Sequence, residues 1–164
     1  MTTLGTQLFS NSFAQGNCRG REDAQLNLNK IPVKISDNNN GIISAGDMIK
    51  LVAGGSKLPT VAQVEETEEY SESTVYGFVP LARLKNQYEN GDIATMDLSG
   101  CCMEMVAEED IQCGQQVAYD ATTTNPANTG KIVVNPAEAT AGIIPCGVAL
   151  NDVAEGGLVR VLIK

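Results

Sequence analysis

The side chains able to do chemistry are few, and the most versatile is missing. The chain has 164 residues, 20 of them acidic and five of them cysteine, and no histidine. That removes the usual general base and the usual activator of a Ser or Cys nucleophile. A catalytic thiol needs a neighbouring cation or a helix N-terminus to lower its pKa. Only Cys18, beside Arg19, has a basic residue next to it; Cys101, Cys102, Cys113 and Cys146 do not. A structural zinc site needs four converging ligands, and no CxxC spacing is present. The adjacent pair Cys101-Cys102 chelates awkwardly. These thiols read as small apolar side chains, mostly buried. Their odd number makes a poor disulfide framework and points to a reducing compartment.

Carboxylates are the remaining reactive groups. Glu65, Glu66, Glu68 and Glu69, with Glu72, form one acidic run, and Glu108, Glu109 and Asp110 form another. Paired carboxylates carry glycoside chemistry, but runs of like charge are ordinarily solvated loops or outer strand edges. A carbohydrate- or cation-binding module using Glu65 to Glu72 is the alternative they leave open. Asp37-Asn38-Asn39-Asn40-Gly41 begins like a calcium loop, yet Met48 stands where the bidentate Glu is needed. Tolerance of left-handed backbone accounts for Asn and Asp there. Neither GxxxxGK[ST] nor GxGxxG occurs. The expectation is a protein that is not an enzyme, with no catalytic, metal-binding or cofactor-binding residues and no cofactor.

Charge narrows the partners. The net charge is −9, with 11 basic residues scattered among the acids. Nucleic-acid phosphate is bound by clustered Lys and Arg, so nucleic acid is not an expected partner. No apolar run approaches the length of a membrane span, and the first residues lack a basic segment followed by an apolar one. Neither a membrane nor a secretory route is expected.

The elements that must position any site are strands. Hydrophobic residues make up 43% of the chain and aromatics 4%, without Trp, so the core must be built from Val, Ile, Leu, Ala and Met. Short β-prone runs recur about every ten residues with turn signals between them: 31–35, 46–52, 58–64, 75–79, 93–98, 101–106, 111–120, 131–134, 147–150 and 158–163, with Ile143-Ile144-Pro145 leading into the last pair. Pro32 puts the first at a sheet edge or a strand start. Pro80 to Glu89 fits a short helix beginning at proline or an irregular crossover. One device repeats at Gly46, Gly91, Gly114 and Gly156, where a glycine precedes an alternating apolar strand. The last two runs, GVAL and LVRVLI, flank the turn at Glu155-Gly156-Gly157 and predict a hairpin that closes the core. The expected fold class is all-β: a compact β-sandwich or β-barrel with an extended or partly helical N-terminal arm and at most one short helix. Residues 1–29 are assigned to the arm and 30–164 to a single β-domain. Leu4, Leu8, Phe9 and Phe13 stand at helix-like spacing among Gly, Ser, Asn and Gln, and a solvated tail rarely carries two phenylalanines. They are the candidate partner-binding residues.

Two resemblances bear on these elements. Ile111 to Val117 (IQCGQQV) resembles the strand-turn-strand of biotinyl and lipoyl carrier domains. Those domains expose a modifiable Lys, and no Lys lies between Asn86 and Gly130, so only the fold-level likeness survives. The stretch from Ile31 to Lys164 resembles the capsid decoration (structural cement) proteins of tailed bacteriophages. The residues that carry it are Gly46-Asp47-Met48-Ile49, Leu58-Pro59-Thr60-Val61, Val75 to Val79, Tyr88 to Ala94, Ile111 to Val117, Cys146 to Leu150 and Gly157 to Val161. The match lies in their order and spacing. The resemblance implies a non-enzymatic virion protein on the outer capsid surface, made in the bacterial host cytoplasm. It implies the major capsid protein as partner and self-association, as a homotrimer first or a dimer second. A phage tail structural component is a further alternative.

Overall fold

A computed structural model of the chain describes residues 29–54, 57–81, 85–122 and 132–164. They fall almost wholly within a unit spanning Pro32–Lys164. This unit is all-β, and no helix occurs among the described residues. The strands are β1 (Lys30–Ile35), β2 (Ile43–Ser44), β3 (Met48–Gly54), β4 (Pro59–Gln63), β5 (Tyr76–Phe78) and β6 (Gln87–Tyr88), followed by β7 (Ile93–Asp97), β8 (Cys102–Val106), β9 (Gln116–Asp120), β10 (Ile132–Val134), β11 (Ile143–Ala149) and β12 (Leu158–Ile163). The stretch Pro80 to Glu89, which fits a short helix or an irregular crossover on sequence, is no helix where described and carries the two-residue β6, which pairs with β2 through Ile43 and Tyr88; residues 82–84 of it lie outside the described residues.

Two larger sheets divide the strands by chain order. The first closes into a barrel in the order β1-β4-β3-β5-β7. Closure needs one parallel pair, β1 with β4, in register Lys34↔Thr60 and Ile35↔Val61. Pro32 precedes these paired residues, where its missing N–H costs nothing. The second sheet is antiparallel, in the order β10-β9-β11-β12-β8. It curls until its edges meet: Ala107, just after β8, bridges Ile132 of β10, and Glu108 N–H donates to the Ile132 carbonyl. The closing hairpin is therefore interior. β12 lies between β11 and β8, and the closed barrel is built from the first half of the chain.

One turn geometry feeds the strands. The N–H of the fourth residue donates to the first residue's carbonyl in turns 44–47, 89–92, 98–101, 112–115, 140–143 and 154–157. In each, the third residue is a glycine with φ between +79° and +96°, and no non-glycine described residue has positive φ. Negative then positive φ defines a type II turn, which asks for Gly at its third place. Gly46, Gly91, Gly100, Gly114 and Gly156 each stand two residues before a strand. In three turns the fourth residue's side chain also accepts the first residue's N–H: Asp47 from Ser44, Asp92 from Glu89 and Gln115 from Gln112. Both ends of the turn are thereby tied.

Each sheet buries aliphatic side chains. Val33, Ile35, Ile49, Val61, Ala94 and Met96 are buried on the barrel strands. Met48 and Phe78, paired across β3 and β5, turn the other way and join Val117, Tyr119, Ile144, Val159 and Val161 of the second sheet in one cluster. Phe78 meets Tyr119 edge-on, with centroids 5.8 Å apart at 72°, a favoured geometry for a ring pair. Burying one such side chain stabilises the fold by about 1.5–3 kcal/mol.

Gly147 has a different role from the turn glycines. A Cβ there would overlap the backbone carbonyl of Leu162, on the neighbouring strand β12. Backbone cannot yield as a side chain can. Gly147→Ala is expected to lower stability by about 3 kcal/mol, the upper end of overpacking costs. Gly114→Ala, in open space but at φ +91°, is expected to cost about 1 kcal/mol. Urea unfolding of both variants checks the order.

Candidate interaction surfaces

The arm residues Leu4, Leu8, Phe9 and Phe13 lie outside the described residues, as does Cys18. The acidic run lies in the loop between β4 and β5, where Glu65, Glu66, Glu69 and Glu72 are exposed, as expected of a solvated loop, and Glu68 is the exception. Glu68 N–H donates to the Glu65 carbonyl, and the Glu68 carbonyl accepts from Gly142 N–H at 2.7 Å. Its carboxylate pairs with Lys50 of β3, the two side chains being 16% and 23% exposed. Tyr70 stacks on Tyr76 at 5.8 Å. The run is thus clamped to β3, β5 and the turn before β11, and its central carboxylate is already matched by a lysine. No group of three or more Cys, Asp or Glu side chains converges as a metal site among the described residues.

The asparagines of the 37–41 loop also act differently from expectation. None adopts left-handed backbone; Gly41 alone does, at φ +98°. Asn39 is buried, donates to the Gly41 carbonyl and accepts the N–H of Gln63, joining its loop to β4. A side-chain amide can do both at once because it carries donor and acceptor.

The described cysteines split evenly between core and surface. Cys101 and Cys146 are buried and Cys102 and Cys113 exposed. The expectation of mostly buried thiols holds for the first pair only, because Cys102 and Cys113 fall on outward strand and turn positions. Burial pushes the Cys146 thiol up. Cys102 is also raised, by partial burial first and then by Glu104, against the opposing pull of Arg160. Neither is tuned towards a thiolate. Cys113 borders a wide, shallow depression of about 610 Å³ with Asp110, Asp152 and Ala154. Both carboxylates there are spent on backbone: Asp152 accepts Cys113 N–H at 2.8 Å and Asp110 accepts Glu155 N–H at 2.9 Å. The depression is a seam between two stapled loops.

The most distinctive surface is the outer face of β8, β12 and β11. Register puts Leu158 opposite Val106, Arg160 opposite Glu104, and Leu162 opposite Cys102. Directly opposed residues share a face, and the next strand adds Val148 beside Leu162. Leu150, whose N–H donates to the Arg160 carbonyl, borders the same strands. Leu158 is 58% and Leu150 44% exposed. Arg160 Nε lies 3.4 Å from Glu104 Oε2, with the two side chains 62% and 57% exposed. The alternation of LVRVLI marked the inner face of this strand but not the pairing that sets Arg160 against Glu104.

The fold defines an all-β protein of paired, turn-locked sheets. No family model and no curated protein matches the chain. Among solved structures it is similar to the head fiber gp8.5 N base of bacteriophage phi29, at 15% sequence identity and a TM-score of 0.49, over 82% of this chain and 92% of that one.

One ionisable group was not singled out by sequence. Asp47, fourth in the turn before β3, is 2% exposed. Its Oδ2 accepts Ser44 N–H at 2.7 Å and the Gln63 side-chain amide at 3.2 Å; its Oδ1 is buried without a hydrogen-bond partner among the described residues. Desolvation raises its pKa above 3.8, against the lowering pull of the Ser44 N–H. The GD pair was legible as a turn; its contact with Gln63, sixteen residues on in β4, was not. A raised folded pKa means that folding favours the protonated acid. That contribution is complete below the unfolded value near 4 and is lost as pH rises through the folded value. In Asp47→Asn, a neutral amide replaces the buried charge and the group no longer titrates. The stability of the wild type relative to Asp47→Asn is therefore expected to fall as pH rises from about 3 to about 7, checked by urea unfolding at both ends. A pH-independent difference would show that Asp47 titrates normally.

Proposed function

We propose that this protein is a non-enzymatic structural component of a phage virion, which decorates the outside of the head and bridges neighbouring major capsid subunits. The observation that carries the proposal is the decoration-protein resemblance, together with where its residues fall. Gly46 to Ile49 form the turn and start of β3, Tyr88 to Ala94 run through a turn into β7, Ile111 to Val117 lead into β9, and Gly157 to Val161 enter β12. The resemblance is thus one of repeated turn-and-strand units spread through both sheets.

The physical logic of such a role is simple. A protein that binds only the assembled lattice stabilises that state by mass action, and many copies multiply a modest contact. The scaffold needs no reactive centre. It needs a stiff core, a surface for its own copies, as a cyclic trimer or a dimer, and an anchor for the lattice. Leu4, Leu8, Phe9 and Phe13 are assigned as that anchor.

Removing Met1 to Asn17 is expected to reduce capsid occupancy at least tenfold, the loss of a contact worth about 1.4 kcal/mol or more. Occupancy is read by electron microscopy of particles mixed with the full-length or shortened chain. Leu8→Asp with Phe13→Asp serves as a full-length counterpart. Unchanged occupancy in both variants overturns the anchor, and density on the tail alone overturns the head location.

A further inference from the structure

We propose that the outer face of β8 and β12 docks on the same face of a second copy, through a two-fold axis that runs along the strands. The contact is independent of what lattice the protein occupies.

Charge is the first reason. On a chain of net charge −9, two copies repel unless they meet where the local charge cancels. The β8–β12 face carries one cation and one anion side by side, Arg160 and Glu104, both more than half exposed. Apolar rungs flank them: Leu158 with Val106 on one side, Leu162 with Cys102 on the other. Leu158 is an exposed large apolar side chain on this face.

Symmetry is the second. An isologous contact must place each residue against one it complements. Consider an axis parallel to the strands, midway between β8 and β12. It sets Arg160 of one copy over Glu104 of the other, and the reverse. It also sets Leu158 over Val106 and Leu162 over Cys102, so apolar meets apolar throughout. An axis across the strands would stack Arg160 on Arg160 and Glu104 on Glu104. The arrangement therefore selects one of the two in-plane axes, and aligned packing of sheet faces allows it. Two-fold docking at this face makes a dimer, not a trimer.

The sheet edges supply the third reason. Open edges are the usual route by which β-proteins pair. Here the first sheet is closed and the edges of the second are bridged by Ala107 and Ile132. Edge addition to these two sheets is thereby restricted, which favours association through a face. The face is small beside the roughly 800 Å² per partner of a standard interface, so the dimer is expected at tens to hundreds of micromolar protein.

Sedimentation equilibrium of the full chain, from about 10 to about 500 µM, tests the proposal. The expected result is a monomer–dimer equilibrium. Arg160→Glu and Glu104→Arg should each weaken it at least tenfold by setting like charges across the axis. The double variant should restore it, because the opposite pairing is rebuilt between copies. Leu158→Asp should abolish it. Thermal melts of the variants separate lost association from lost folding, which the double variant alone does not, because it rebuilds the Arg160–Glu104 pair within one copy as well as between copies. A monomer across the whole range overturns the proposal, as does a trimer. So does a dimer unaffected by Arg160→Glu and Leu158→Asp. If these variants keep the dimer but lose capsid binding, the face belongs to the lattice and self-docking is likewise overturned. Occupancy lost on removing Met1 to Asn17 bears on the arm alone, so the two proposals fail separately.

Discussion

The structure depends on a backbone constraint more than on any single contact: a type II turn that needs glycine at its third position. A short strand carries too few side chains to fix its own register, and a slip of one residue would exchange its buried and exposed faces. The turn removes that freedom. Gly46, Gly91, Gly100, Gly114 and Gly156 all place the next strand two residues downstream. Asp47, Asp92 and Gln115 then tie the turn's first N–H as well. The entropy removed is local, and many such turns let a chain with 4% aromatic residues assemble two sheets from small aliphatic side chains.

Much of this was legible in the residues. Alternation and turn chemistry located most of the strands, and the all-β class follows from them. The two shortest strands, Ile43–Ser44 and Gln87–Tyr88, were not legible, because two residues have no periodicity. They exist because each completes the other's hydrogen bonds across more than forty residues of sequence. Pairing was less visible still. Nothing local to Lys34-Ile35 or Thr60-Val61 says that they run parallel, yet that pair closes the barrel. On sequence, Pro145 belongs to the lead into the final hairpin. It lies inside β11, at a register shift between Pro145 and Gly147, where the strand can spare an N–H.

The surfaces were legible in proportion to how local they are. The acidic run was visible, but not that Lys50 would meet Glu68 or that Gly142 would hold its backbone. Composition treats a run of carboxylates as uniform; the fold separates one matched and largely buried Glu from its exposed neighbours. The exposed thiols Cys102 and Cys113 likewise owe their position to strand phase and turn place, not to residue type.

Where the second half of the chain turns back on itself, stability and recognition make opposite demands on one strand. Val159, Val161 and Ile163 of β12 fill the core, and Leu158, Arg160 and Leu162 alternate with them outward. An edge strand could leave this outer row polar and lose little. β12 is interior, between β11 and β8, so its hydrogen bonds are satisfied whatever its outer side chains are. The outer row is thereby free to carry leucines and a lone arginine without exposing unpaired backbone. An apolar row on an edge would invite indiscriminate strand addition. On a face flanked by paired strands it offers only side chains, and side chains can discriminate by charge and shape. The interior position of the last strand thus confines association to side-chain contact, and the Arg160–Glu104 rung supplies the charge pattern that such contact can read.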